Sequence, residues 1–349
     1  MRQTIRRIPV EELDYIKNPG ETPRLILALV VLLPFSVLFT FGAILYPLEF
    51  TLAIGSYLLL NWFVLSIAKA KIISNSLKVS DKNFPEVQQL IRDTKIALDY
   101  ARNIDIYIVQ ENSINSFLAH FFSTRFIILN SELVEDMLDD HKRLQLKWVI
   151  GRFIGALKIK QIRLNVLTDI FERTEGLFLL NIFILPYTRA TQFSGDNIGL
   201  SVCGDLKQAM IAFDKMLVGN DLSPRVRFEG IIDQGKEIKN SPFVLLARLF
   251  SPFPHTVNRY LNLLAFAKWR YPEQFYHYIQ QFNIPTSTDL AQLLPSTYLG
   301  RELRGGMAQY RPPAGAPDIR HRGTASDSGG RIKIRIRRKN TSSAIRIKS

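Results

Sequence analysis

Two long stretches without a charged side chain stand near the start of the chain and limit what it can fold into. Leu25 to Leu48 is 24 residues long, and Phe50 to Ala68 adds another 19 after Glu49. Each stretch can cross a hydrocarbon layer of roughly 30 Å as a helix. The connection at 46–49 is very short, so the two stretches predict a transmembrane helical hairpin over 25–69. The alternatives are a pair of buried core helices, which long uncharged runs disfavour, and a cleaved signal peptide, which would start earlier and be shorter.

Basic side chains flank the hairpin on both sides. They are Arg2, Arg6, Arg7, Lys17 and Arg24 before it, and Lys69, Lys71, Lys78 and Lys82 after it. A hairpin places both flanks on one side of the membrane, and an excess of Lys and Arg favours the cytoplasmic side. Residues 1–24 are therefore interpreted as a cytoplasmic juxtamembrane segment. The single cysteine, Cys203, cannot form an internal disulfide, which fits a reducing compartment.

Residues 70–299 have the pattern of an α+β domain that is mostly helical and contains a small β-sheet. An amphipathic helix is predicted at about 84–102, and strands are predicted at 104–109 and 125–130. Asn130 or Ser131 is a plausible N-cap for the helix that follows the second strand. A further helix covers Trp148 to Lys158.

Arg152 and Ala156 lie four residues apart in that helix and therefore share one face. A zinc peptidase of the H-E-x-x-H type has its two histidine ligands at this spacing, with the general-base Glu directly after the first. Those three positions here hold Arg152, Phe153 and Ala156.

Five segments in order resemble the HtpX-like family of membrane-bound zinc metallopeptidases, which are relatives of the CAAX prenyl-protein endopeptidases. The segments are Asn115-Ser116-Phe117, 127–133, Leu146 to Lys158, Tyr187 to Leu200 and Ser251 to Leu261. With the hairpin, the resemblance covers about residues 20 to 268. It implies a zincin-like domain after the hairpin, and a location in the inner (plasma) membrane of a bacterium with the N-terminus, main domain and C-terminus cytoplasmic.

The resemblance also implies that the catalytic site has been lost. The first histidine ligand, the base and the second histidine ligand correspond to Arg152, Phe153 and Ala156, and the third zinc ligand corresponds to Gln192. None is a suitable replacement, because Arg has no lone pair at neutral pH, Phe and Ala have no donor atom, and a neutral Gln carbonyl is a poor zinc ligand. We therefore expect no catalytic residues, no metal ligands, no zinc or other cofactor, and no enzyme activity.

Asp196 does match the family, where it supports the metal site from outside the ligand set. Without a metal its expected role is structural, in an ion pair with Arg152. The five histidines form no i, i+4 pair or other short ligand pattern. His255 is expected to cap or pack, and a surface or packing role is expected for His120.

The apolar run from Gly176 to Tyr187 is too short to span a membrane. It is interpreted as a buried helix or as a segment that contacts the membrane.

The net charge of +14 is concentrated in a C-terminal tail. Residues 301–349 carry a net charge of +10 and the first 300 residues carry +4. The composition of 300–349 predicts a flexible, disordered basic tail. Its basic residues from 331 onward are candidates for binding an anionic lipid surface, namely Arg331, Lys333, Arg335, Arg337, Arg338 and Lys339. The alternating Arg/Lys and Ile pattern also allows strand addition to a sheet edge, contact with nucleic-acid phosphates, which is the least favoured, or a simple solvated tail.

These patterns predict a proteolytically inactive, membrane-anchored metallopeptidase homologue that acts as a scaffold or regulator. Its expected partners are membrane lipids and an unidentified membrane or cytoplasmic protein. A groove edge at Asn115, Ser116 and Phe117 is the candidate site for holding an extended peptide by main-chain hydrogen bonds. The alternatives are an active hydrolase that uses non-standard residues, and a structural subunit of a membrane complex that works through its hairpin and tail.

Overall fold

The structure, a computed structural model, describes residues 6–110, 117–121, 124–139, 142–159, 178–251, 254–282 and 288–298. The helices are α1 (Val10–Ile16), α2 (Glu21–Leu45), α3 (Pro47–Ser74), α4 (Pro85–Ala97), α5 (Ser131–Met137), α6 (Arg143–Lys158), α7 (Phe178–Cys203), α8 (Leu206–Val218), α9 (Phe228–Asn240), α10 (Pro242–Phe250), α11 (Thr256–Arg270), α12 (Pro272–Gln280) and α13 (Thr288–Leu293). The strands are β1 (Leu77–Lys78), β2 (Asp105–Val109), β3 (Phe117–Phe121) and β4 (Thr124–Asn130), and two 3₁₀ turns cover Ser223–Arg225 and Ser296–Tyr298. The expected mostly helical chain with a small sheet is confirmed.

The predicted hairpin is formed by α2 and α3, which are separated by Tyr46 alone. Pro47 opens α3, where its missing N–H costs no intrahelical hydrogen bond. Both helices are long and apolar enough to span a membrane. Their side chains are largely exposed, as Leu38 (67%) and Ile44 (69%) illustrate. The alternative of two buried core helices is therefore wrong.

The segment before the hairpin is part of the folded body. Leu13 and Ile16 of α1 are fully buried. The N–H of Ile8 donates to the carbonyl of Ala97 (2.7 Å), and Glu12 pairs with Arg270 (2.6 Å). Because α1 packs into the domain that follows the hairpin, the segment before α2 and the domain after α3 lie at the same end of the hairpin.

The sheet has the order β1-β2-β4-β3. Strands β2 and β4 are parallel, with Ile106 beside Ile127, while β1 and β3 run antiparallel to their neighbours. The predicted strands at 104–109 and 125–130 are confirmed to within one residue. Asn130 is also confirmed as the N-cap of α5, since its side chain accepts a hydrogen bond from the N–H of Glu132 (2.9 Å).

The amphipathic helix α4 is shorter than predicted. It ends at Ala97 rather than near residue 102. Asp99 has a left-handed backbone with φ of 48°, and the N–H of Tyr100 turns back to the carbonyl of Lys95 (2.8 Å). The chain therefore leaves the helix before the apolar spacing ends.

Helices α6 and α7 pack against each other at the centre of the body. Trp148 and Ile198 on the two helices are fully buried. The N-terminal half of α7 contains residues 178–187 of the apolar run and packs along α2; residues 176 and 177 lie outside the described chain. The expected helix in this run is confirmed.

Candidate functional site

Arg152, Gln192 and Asp196 meet in the interior between α6 and α7. The Nε atom of Arg152 lies 3.0 Å from Oδ1 of Asp196. Its Nη2 atom donates to Oε1 of Gln192 at 2.6 Å. Gln192 and Asp196 are four residues apart, so α7 presents both side chains to Arg152 from one face. The expected ion pair between Arg152 and Asp196 is confirmed.

Arg259 on α11 supplies the second cation of this cluster. Its Nε and Nη2 atoms donate to Oδ2 and Oδ1 of Asp196 at 2.9 and 2.8 Å. This two-pronged geometry suits a guanidinium and a carboxylate. No sequence pattern predicted this contact of Arg259, which lies in the segment from Ser251 to Leu261.

The ionic cluster of Arg152, Asp196 and Arg259 has one carboxylate between two guanidinium groups. Asp196 is fully buried and Arg152 is buried. Burial, reinforced by the nearby Arg259, lowers the pKa of Arg152 to about 10, which leaves it a cation at neutral pH. Aromatic rings cover both cations. The Phe153 ring centroid lies 5.3 Å from the Arg152 guanidinium, and that of Phe213 lies 4.9 Å from Arg259.

These residues do not fit a zinc ion. The helix face that would supply two imidazoles holds a paired guanidinium at Arg152 and a methyl group at Ala156. A fixed positive charge at short range repels a cation, and the Gln192 carbonyl already accepts from Arg152. Within the described ranges, no group of three or more His, Cys, Asp or Glu side chains is placed to hold a metal.

Glycine residues allow α6 and α7 to approach closely beside the ionic cluster. A Cβ atom at Gly199 would lie 2.8 Å from the backbone oxygen of Trp148, and one at Gly155 would lie 2.3 Å from Cγ2 of Ile198. Neither distance is compatible with a side chain. The close approach is what brings Asp196 within reach of Arg152.

A second polar cluster, missed in the sequence analysis, joins the start of the chain to α7 and α11. We call it the asparagine network: Asn18, Asn197, Asn262 and Tyr298. Asn18 donates to Oδ1 of Asn262 (3.1 Å), and Asn197 donates to the carbonyl of Ile16 (3.1 Å) and to the Tyr298 hydroxyl (2.8 Å). Buried amides need such partners, so the network fixes the segment between α1 and α2 against the body. The three asparagines are far apart in the sequence and form no motif, so the sequence did not predict this network.

Ser194 extends this attachment to the first turn of α2. Its hydroxyl donates to the Glu21 carboxylate and accepts from the N–H of Asn18 at 2.9 Å. The side chain of His255 does not cap α11. Its Nε2 atom lies 3.4 Å from the carbonyl of Val244, so His255 packs, which was one of the two expected roles.

The remaining candidates lie partly or wholly outside the described residues. Asn115 and Ser116 of the predicted groove edge are outside them. Phe117 is described as the first residue of β3, the edge strand. His141 and the six basic tail residues from Arg331 to Lys339 are outside as well.

No protein-family model matches the sequence, no curated protein matches it, and no solved structure matches the fold.

Proposed function

We propose that this protein is a membrane-anchored, proteolytically inactive homologue of HtpX-like zinc peptidases that serves as a scaffold or regulator. The observation that carries the proposal is the ionic cluster. The positions that resemble the family's first and third zinc ligands, Arg152 and Gln192, contact each other directly. The two residues are 40 positions apart in the sequence and lie on different helices, as a metal site of that family would require.

Two further contacts support the same assignment. Asp196, which resembles the supporting aspartate of the family, pairs with Arg152. Arg259, from the Ser251 to Leu261 segment that resembles the family, binds the same carboxylate through two hydrogen bonds. Segments selected by resemblance alone therefore meet at one point. In this proposal the Arg152 guanidinium replaces the metal as the positive charge at the centre of the fold.

Membrane anchoring follows from the hairpin and from the position of α1. The exposed apolar surfaces of α2 and α3 suit lipid. Since α1 packs into the body, the N-terminus and the domain share one side, and the basic flanks favour the cytoplasm. In this proposal the protein lies in a bacterial inner membrane.

The partner surface we propose is the edge strand β3. It lies at one end of the sheet order and is close to α3. An extended peptide could add to this edge by main-chain hydrogen bonds near the membrane. The basic tail is the second proposed surface, with anionic lipid as its ligand.

The decisive test is to rebuild the zinc site. The quadruple variant R152H/F153E/A156H/Q192E restores two imidazoles, a base and a carboxylate. We expect it to bind about one zinc ion per chain in elemental analysis, whereas the wild-type protein binds none. The matched control R152H/F153E/Q192E keeps Ala156 and should not retain zinc through purification. Stoichiometric zinc in the wild type would contradict the loss of the site. A folded quadruple variant without zinc would contradict the ancestry.

A separate experiment tests the scaffold role. A photo-crosslinking amino acid at Phe117 and another at Arg335 are placed in the full chain in native membranes. Capture of a protein at Phe117 supports peptide binding at β3. Capture only at Arg335 would favour the structural-subunit alternative, and chelator-sensitive cleavage of unfolded casein would favour the hydrolase alternative.

A further inference from the structure

Helix α10 exposes an apolar face that nothing in the described chain covers. Phe243 is 80% exposed, more than any other large apolar side chain in the described residues, and Leu246 is 53% exposed. Three residues apart on a helix, they lie on one face. Helix α10 packs against α7, where Phe183 is also exposed (41%). We call Phe243 and Leu246 the apolar foot.

Contacts along α7 give the position of the apolar foot relative to the hairpin. Arg259 near the start of α11 binds Asp196. Towards the N-terminus of α7, Arg189 donates to the carbonyl of Ser251 (2.8 Å), directly after α10. Three residues further, the carbonyl of Pro186 accepts from Arg24 (3.4 Å). The end of α10 is therefore about 5 Å along α7 from the level of Arg24, at 1.5 Å per residue.

In the proposed membrane anchoring, Arg24 stands at the membrane boundary. It is the last charged residue before the uncharged run from Leu25 to Leu48, which begins in α2. Arg side chains at helix ends extend to the headgroup region. Helix α7 continues beyond this level from Pro186 to Phe178, about 12 Å at 1.5 Å per residue, alongside α2. The start of α7 thus lies deeper than Arg24, alongside the apolar part of α2. The end of α10 lies close to the level of Arg24, at the depth of the lipid headgroups.

We propose that α10 is an interfacial helix whose apolar foot inserts into the headgroup and acyl boundary of the bilayer beside the hairpin. This rests on the membrane anchoring proposed above. The proposed occupant is lipid rather than a protein subunit because α10 packs on α7, which itself packs along the hairpin helix α2, and because its end lies close to the level of Arg24. The sequence of α10 has one ionisable residue, Arg248, and no acidic residue, as suits a helix at an anionic surface.

Insertion of α10 would give the domain a second attachment to the membrane, beside the hairpin. Two helices that cross the bilayer leave the domain free to tilt about its anchor. Insertion of α10 on the flank of α7 fixes the tilt of the body over the membrane. The edge strand β3, close to α3, is then held at a constant height above the lipid.

The test measures depth directly in reconstituted protein. Single cysteines replace Phe243, Leu246, Leu38 or Tyr276 in the full chain carrying Cys203→Ser, and each is labelled with an environment-sensitive fluorophore. The proteins are placed in phosphatidylglycerol and phosphatidylethanolamine vesicles containing nitroxide lipids, with the nitroxide either near the headgroup or deep in the acyl chain. Leu38 reports the hairpin, and Tyr276 on α12, 46% exposed, is the solvent control.

We expect shallow nitroxides to quench the labels at Phe243 and Leu246 more than deep ones, because an interfacial helix buries its apolar face only about 5–10 Å into the headgroup and acyl boundary. Leu38 should be quenched best by deep nitroxides, and Tyr276 by neither. If the label at Leu38 is quenched and the label at Phe243 is exposed to water, the interfacial position of α10 is wrong while the membrane anchoring stands. A label at Phe243 that nitroxide lipids do not quench and aqueous iodide does not reach would assign the face to a second copy. No quenching at Leu38 would overturn the membrane anchoring itself.

Discussion

Arg152 and Asp196 form a buried ion pair, with Nε and Oδ1 3.0 Å apart. The same carboxylate accepts two hydrogen bonds from Arg259. Asp196 is thus the one anion of the three-residue ionic cluster and balances two cations. Removing Asp196 should therefore lower the free energy of unfolding more than removing either arginine.

Removal of the shared anion should be the most damaging change in the cluster. Asp196→Ala leaves the buried guanidinium of Arg152 and the partly buried guanidinium of Arg259 without their carboxylate. Loss of one member of a buried ion pair costs about 3–5 kcal/mol. Denaturant unfolding in detergent micelles should show a loss of this order relative to Asp233→Ala, whose exposed carboxylate lies 3.7 Å from the ammonium group of Lys236. Equal effects of the two substitutions would contradict the central role of Asp196.

Removal of Arg152 should cost less than removal of Asp196. In Arg152→Met the carboxylate keeps both bonds from Arg259, and the methionine side chain fills part of the space. The substitution also relieves the repulsion between two guanidinium groups. The same unfolding assay should rank Arg152→Met between Asp233→Ala and Asp196→Ala. If Arg152→Met lost as much free energy of unfolding as Asp196→Ala, the predicted ranking would be wrong, and contacts of Arg152 other than its charge would have to stabilise the fold.

Because α6 and α7 pack closely, replacing glycine by alanine should destabilise the protein far more at the contact between them than elsewhere. In Gly199→Ala the new Cβ would meet the backbone oxygen of Trp148 at 2.8 Å, which cannot move without shifting α6. The helices must separate, and the protein should lose stability or fail to fold. Gly230→Ala in α9, where nothing lies within 4 Å, should change stability by less than about 1 kcal/mol. Similar unfolding midpoints for both variants would contradict this packing.

The stability of the domain should fall as pH rises through the range in which Asp214 titrates. Oδ1 of Asp214 is buried without a hydrogen-bond partner in the described residues, and burial raises its pKa to about 7. Between about pH 4 and pH 7 the folded state holds a proton that the unfolded chain releases, so rising pH favours unfolding. Asp214→Asn should raise the thermal midpoint at pH 8 and flatten its decline with pH. The exposed Asp221→Asn is the control, and identical pH profiles for the two variants would contradict the prediction.

The packing of α1 predicts where labels can reach the protein. Single cysteines at Val10 on α1 and at Tyr276 on α12, both exposed, should react with a membrane-impermeant maleimide from the same side of sealed vesicles. A cysteine at Tyr46, in the turn of the hairpin, should react only from the other side. The buried Cys203 gives little background. Reaction of Val10 and Tyr276 from opposite sides would contradict the position of α1.

Local signals in the sequence were sufficient for the hairpin, the strands β2 and β4 and the cap at Asn130. Each depends on residues within one element: an uncharged run, an alternation, or a side chain two residues from its N–H partner. The expected pair of Arg152 and Asp196 came from resemblance and spacing, and the structure has it.

Long-range partners could not be read in the same way. Nothing in the sequence distinguishes Glu12 from other charged residues, and its ion pair with Arg270 is visible only in the folded structure. Asn197 and Asn262 become meaningful only when their helices are packed. The end of α4 was missed because the left-handed residue there is Asp99, and not the glycine that usually marks a helix end.

The position of α1 also has a consequence for how the protein is made. Glu12 meets Arg270, and Asn197, which holds the carbonyl of Ile16, also donates to Tyr298. These contacts form only after most of the chain has left the ribosome, long after α2 and α3 have been synthesised. In the proposed membrane topology, the first residues therefore stay without these contacts, on the side where translation continues, until the last helices are made. A chain in which only one of α2 and α3 crossed the membrane would leave α1 on the opposite side from its partners, and the core could not be completed.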